Sequence, residues 1–245
     1  MSSRAGRLSL SEESGTRETM ASSVYTQLRD ELLHCRIQPN SKLRVEWAVA
    51  RYGAGASPVR EALNRLASEG LLDRRDQRGF FVTPITLEEL EELTRTRCWL
   101  EERALRESML HRTTEWEETI VLSLHRLSRV PRRMANTGAY NPEWEARHRA
   151  FHRALIAGCR SQPLIGFCEQ LADRAYRYRQ VAREGVGAPR NELTEHNDIA
   201  SKVIEGNIDA AVDALMHHYI LTSELCASGL VQQPDAAVVV ASAAG

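Results

Sequence analysis

Aromatic residues are scarce in this chain, at 6% of its 245 positions, and no apolar run is long enough to cross a bilayer. The longest such run near the end, Ala236 to Ala241, falls far short of the roughly 20 residues that a spanning helix needs, so no membrane partner is expected. The start, Met-Ser-Ser-Arg-Ala-Gly-Arg, lacks the apolar centre of a secretory signal. Five scattered cysteines (Cys35, Cys98, Cys159, Cys168, Cys226) form no C-x-x-C pair. Together these absences predict a reduced cytoplasmic protein that uses its thiols as small apolar residues. A large charge of either sign is also missing: the net is −1, which by itself says nothing about nucleic acid. No internal repeat is visible.

The charge that is present is unevenly placed. Residues 20–84 hold 10 Lys/Arg against 7 Asp/Glu, and residues 85–245 hold 19 against 23. A mildly basic front and a mildly acidic rear fit a DNA-binding head on a different body. Residues 1–19, rich in Ser, Arg and Glu without periodicity, are expected to be disordered. Residues 230–245 are expected to form a flexible tail, loosening from about Gly229.

The front half carries the most informative stretch, Ser57-Pro-Val-Arg-Glu-Ala-Leu-Asn-Arg-Leu66. It reads as a short helix with Val59, Ala62, Leu63 and Leu66 on one face and Ser57, Arg60 and Asn64 on the other. A helix that buries one stripe and presents arginine and small polar groups opposite suits a DNA major groove. Ser57 is expected to cap it, with Pro58 as its first helical residue. Two helices precede it, about Ser22–Cys35 and Arg44–Tyr52. Residues 74–82, Arg-Arg-Asp-Gln-Arg-Gly-Phe-Phe-Val, read as a tight hairpin with a basic tip. Helix, turn, helix and a two-stranded wing make a winged helix-turn-helix spanning 20–84.

After Pro84 the period changes to 3.6 residues for about 145 residues, predicting an all-helical body over 85–229. Thr86 and Glu89 form a capping-box pattern before a long helix reaching about His111, with Leu90, Leu93, Cys98, Leu100, Ala104 and Leu105 inward. Further helices are expected near 114–129, 142–158, 162–184, 190–205 and 208–228, with Gly206-Asn207 as a C-cap. The fold class is mainly α: a winged head and an antiparallel helical bundle.

Four histidines stand out in the body. His148 and His152 are four apart on one helix and share a face. His196 lies early on a later helix, and His218 on the last. Imidazole is a common ligand for zinc-like ions, and a bundle can aim such side chains inward. Spacing alone also admits a solvated or core pair, and periodicity does not choose between His217 and His218. His34, His111 and His125 read as ordinary surface residues.

The pattern Ser-Pro-Val-Arg-Glu-Ala-Leu-x-Arg-Leu-x-x-Glu-Gly-Leu, followed by Arg-Gly-Phe-x-Val, resembles the GntR superfamily of bacterial transcription regulators. The rear half resembles its FadR-type subgroup with an FCD ligand-binding domain, through Arg97-x-x-Leu100-Glu101, Phe151-His152-x-x-Leu155, Glu195-His196-x-x-Ile199, Gly206-Asn207 and His218. The resemblance implies a bundle holding a divalent metal on His152, His196 and His218. His148 stands where relatives often carry Asp or Asn. An all-imidazole set favours zinc or nickel over magnesium or calcium. Gly55 and Ala56 replace the family's usual Ser-Arg, so one familiar DNA-contacting arginine is absent.

These implications define a ligand-responsive regulator, most simply a repressor released by a small organic acid. Ser57, Arg60, Asn64 and Arg65 would face DNA, with Arg78 and Gly79 at the wing. A homodimer would read a palindromic duplex operator. Arg97 would pair with the effector's carboxylate, or form a salt bridge to a neighbouring helix, and Tyr219 would wall the pocket. A metal-dependent enzyme using the same histidines, and a dimeric DNA-binding protein without a ligand, are the alternatives. Arg60→Ala is expected to weaken specific operator binding by about 1–3 kcal/mol; unchanged affinity in a gel-shift titration refutes the role of Arg60.

Overall fold

A computed structural model of the chain describes residues 19–137, 140–182 and 190–232. Most of the expected disordered segment, and the tail beyond 232, lie outside the described residues.

The head begins with α1 (Met20–Leu33), two residues earlier than expected. Thr19 caps it, its hydroxyl accepting the Ser22 N–H at 3.1 Å. The helix stops before Cys35, which takes a left-handed φ of 52°. Then come β1 (Lys42–Leu43), α2 (Val45–Tyr52) and α3 (Ala56–Ser68). The expected cap is corrected here: Gly55 occupies the N-cap position and Ser57 makes no capping bond. Pro58 is the third helical residue, still inside the first turn, where the missing N–H costs no helical bond.

Strands β2 (Leu72–Arg75) and β3 (Gly79–Val82) form the expected hairpin. The third strand was not expected. Two residues carry no periodicity, yet β1 pairs with β3 (Leu43 opposite Phe80), giving the antiparallel order β1-β3-β2. Val24, Leu28 and Leu32 of α1 pack with Val59, Leu63 and Leu66 of α3 and with Phe80 and Val82 of the wing.

The body comprises α4 (Leu87–Leu110), α5 (Thr114–Ser128), α6 (Pro142–Ile156), α7 (Gln162–Val181), α8 (Glu192–Glu205) and α9 (Ile208–Gln232). Prolines 142 and 163 fall in first turns, and Asn141 and Ser161 supply the caps. Helix α4 packs against α6, α7 and α9. Leu90, Leu93, Ala104 and Leu105 face inward as expected, but Arg97 and Glu101 are buried with them, while Cys98 and Leu100 are only half-buried. Thr86 caps α4 as expected, accepting the Glu89 N–H at 3.1 Å. The returning half of the box is diverted. The Glu89 carboxylate accepts from Tyr178 and Arg174, both at 2.7 Å, and the Thr86 N–H goes to the Tyr178 hydroxyl. Gly206 ends α8 with φ 78°, as its composition suggested.

One stretch of α7 joins head and body. Tyr176 is part of the head's core. Arg177, 1% exposed, donates to the hydroxyl and, at 2.6 Å, the carbonyl of Thr83 in the connection to α4. Asp173 accepts from Arg29 of α1 and from Arg149 of α6.

Helix α9 continues to Gln232, so the chain does not loosen at Gly229. Gly229 is buried, and a Cβ there would lie 2.8 Å from the carbonyl oxygen and 2.9 Å from the Cβ of Ala182. Alanine is the better helix former by about 1 kcal/mol, but a contact this close forces the α7 end away, at a cost of about 1–3 kcal/mol. Gly229→Ala is therefore expected to lower stability in urea or thermal denaturation; a rise in midpoint contradicts the packing.

Candidate functional site

His148 and His152 project from α6, His196 from α8 and His218 from α9, and all four are buried. One ring nitrogen from each lies within 4.8 Å of the others. His217, the alternative left open by periodicity, is exposed. The neighbours fix which nitrogens carry protons. His218 Nδ1 is 2.8 Å from Glu195 Oε2 and donates to it, leaving its Nε2 lone pair free. Arg190 holds that carboxylate through both oxygens, at 2.7 and 2.5 Å. The Tyr219 hydroxyl gives its one proton to Glu101, so its 3.0 Å contact with His152 Nδ1 is a bond donated by the ring. His152 Nε2 then presents a lone pair, 3.1 Å from His148 Nε2. His148 Nδ1 and His196 Nε2 are buried without a hydrogen-bond partner.

Burial, then the charge of neighbouring imidazoles, holds His148 and His152 well below their ordinary pKa. Burial and His218 bring His196 down to about 3. His218 falls to about 4, chiefly through burial and despite the bond to Glu195. Burial works to raise Glu195, but Arg190 and His218 hold it well below the carboxylate range. All four rings are thus neutral near pH 7, the state in which imidazole ligates metal.

A cavity of about 340 Å³ adjoins the cluster and is lined by His148 and His152, with Arg97, Arg179 and Glu101 among its deeper residues. The more exposed lining residues are Arg29, Arg149 and Arg153, and the nearly buried Asp173 pairs with the first two. Arg97 is buried, pairs with Glu101 at 2.6 Å and lies 3.8 Å from the ring centre of Tyr219. That salt bridge is made within α4 rather than to a neighbouring helix. Cys168, also on the wall, stays a thiol, since burial pushes it up to about 12. Sequence reasoning missed Arg179, Arg190 and the hydrogen-bonding role of Glu195. Glu195 and Glu101 stood within quoted motifs, but only tertiary contact shows what each holds.

On the head, a cleft of about 370 Å³ runs between α3 and the wing, lined by Arg60, Asn64, Arg74, Arg75, Asp76, Gln77, Gly79 and Phe80. Arg74, not singled out from sequence, donates to Asn64 at 3.5 Å. Ser57 and Arg78 are exposed outside this lining. Arg65 is turned elsewhere: it stacks over Tyr25, 3.7 Å from the ring centre, and pairs with Glu69 at 3.3 Å.

A winged reader joined to a helical body with a polar cavity defines a DNA-binding transcriptional regulator. Two family profiles match, "Bacterial regulatory proteins, gntR family" over residues 20–82 and "FCD domain" over 92–220. The chain belongs to the GntR family, in its FCD-bearing branch. It is 32% identical to the "Uncharacterized HTH-type transcriptional regulator BphR" of Paraburkholderia xenovorans, over 82% of each chain. It is 30% identical to the "HTH-type transcriptional repressor GlaR" of Escherichia coli, covering 81% of this chain and 91% of that one. The solved structure of E. coli McbR/YncC shares the fold, with TM-score 0.70 at 19% identity over 89% of this chain and 99% of that one. The protein is a regulator, not an enzyme. Among the described residues no helix is long and apolar enough to cross a membrane.

The depressed histidines set a pH dependence for the metal-free protein. The unfolded chain binds protons near pH 6.5, whereas folded His196 and His218 do so only near 3 and 4. Their contribution is present above about pH 6.5 and is lost as pH falls toward these folded values. Thermal midpoints are expected to drop from pH 6.5 to 5 and to drop less in His196→Gln. A wild-type curve flat across that range is the contrary result.

Proposed function

We propose that this regulator is a repressor which leaves its operator when a small organic acid binds at a metal in the helical body. The observation that carries the reading is a buried group of four neutral imidazoles opening on an arginine-rich cavity. The residues fit a metal. His152 and His218 each leave an Nε2 lone pair free, and His196 Nε2 is buried without a partner; these are costly without a cation and are satisfied by one. His148, His152, His196 and His218 would hold it, and a four-imidazole set favours zinc or nickel. When bound, an ion that takes a ligand beyond the imidazoles, as zinc does on expanding to five-coordination, would supply a Lewis-acidic position for a carboxylate. Arg97, charged and buried at the cavity, orients that carboxylate, and Tyr219 fixes His152 and packs against Arg97.

On the head, Arg60 and Asn64 read base edges with Ser57 close to the backbone, while Arg78 and Gly79 grip phosphate or the minor groove at the wing. Arg65, engaged by Tyr25 and Glu69, is held away from this cleft, with over half of its side chain exposed beside it. One head buries too little surface for tight specific binding, so the protein acts as a cytoplasmic homodimer on a palindromic operator. Ligand binding changes operator affinity by favouring one of two head arrangements.

His196→Ala tests the metal reading. Elemental analysis of the wild type is expected to give about one divalent ion per chain, and the variant to give background levels while still shifting duplex DNA. Retention of the ion by the variant, or a metal-free wild type, defeats the assignment.

A further inference from the structure

Resting on the reading that the cavity takes an organic acid, we infer that Arg29, on the first helix of the DNA-binding head, is itself an effector-binding residue. The observation is a charge imbalance at the mouth. Asp173 accepts from Arg29 and from Arg149, so two guanidiniums share one carboxylate. The other carboxylate near Arg29 is Glu69, at 3.8 Å, and it already serves Arg65 and Tyr25. Arg153 has its own partner in Glu169 at 2.9 Å, and Arg97 has Glu101. Of the five arginines in the lining, Arg179 is paired with Glu145 at 2.6 Å, so Arg29 and Arg149 are the two left with one carboxylate between them. The surplus is thus greatest where head meets body, and Asp173 is nearly buried (8%) while Arg29 and Arg149 keep 28% and 31% of their side chains open to arriving solute.

An acid with a second anionic group has a use for this surplus. With one carboxylate at the histidine cluster and Arg97, the other extends to the mouth and bridges Arg29 and Arg149. Charge-assisted bonds to two guanidiniums from different domains then tie α1 to α6. Arg149 lies between His148 and His152 on α6, so the same helix carries the inner and outer ends of the site. The head would therefore touch the ligand directly and not only through α7. The effector class that follows is a short di- or tricarboxylate.

Calorimetric titration of the zinc-loaded full-length protein with succinate, malate and citrate tests this. At least one acid is expected to bind the wild type, and Arg29→Gln to weaken it by about tenfold, as for a lost bond between charged groups. Asp173→Asn removes the competing carboxylate and is expected to tighten binding severalfold. A contact that only fastens the domains predicts the same sign for both variants, so weakening in both overturns the inference. Unchanged affinity in Arg29→Gln overturns it alone. If no acid binds the wild type, the acid reading falls and takes this one with it. Should Arg29→Gln fail to fold, Asp173→Asn decides: tighter binding supports the bridge, weaker or equal binding rejects it.

Discussion

One stretch of α7, Asp173 to Tyr178, belongs to both halves of the molecule, and the arrangement of the rest depends on it. Tyr176 fills the head's core, Arg177 holds the Thr83 connection, and Tyr178 and Arg174 share Glu89 at the start of α4. The same helix supplies Cys168, Asp173 and Arg179 to the cavity wall. Interiors are close-packed and resist continuous deformation, so a helix that is part of two cores passes a shift in one to the other. This is the physical basis on which a cavity in the body can be coupled to a reading head.

The histidine centre is a second constraint, and it is electrostatic. Burial makes a charged imidazole costly, which keeps all four rings neutral. Neutral rings offer lone pairs, and the Arg190–Glu195–His218 and Glu101–Tyr219–His152 chains fix the tautomers of His218 and His152. The carboxylates of these chains carry charge at the edge of the cluster without being part of it. Such outer partners raise ligand basicity and orient the rings.

Much of the fold was legible because it rests on local rules. The apolar stripe of α3, the Thr86 cap, the prolines at the starts of α6 and α7 and the glycine after α8 each act within a few residues. What was misread depended on distance. Strand β1 exists because β3 offers it a partner. Gly229 does not end α9; it is a glycine inside the helix because Ala182 leaves room for no side chain there. Ser57 is not a cap because the helix already starts at Ala56, two residues before the expected start at Pro58. The Glu89 side chain, a plausible return arm of the capping box, is taken by residues 85 and 89 positions away.

By itself the sequence determined the class of fold, the amphipathic helix α3 with Arg60 and Asn64 outward, and the pair His148 and His152 on one face of a helix, since periodicity and caps are properties of neighbouring residues. Tertiary structure alone decided that His218 rather than His217 turns inward, that Arg97 pairs with its own helix neighbour Glu101, that Arg65 lies on Tyr25, and that Arg29 and Arg149 meet over Asp173. Those outcomes depend on which helices pack together and at what rotation, and no single segment contains that information.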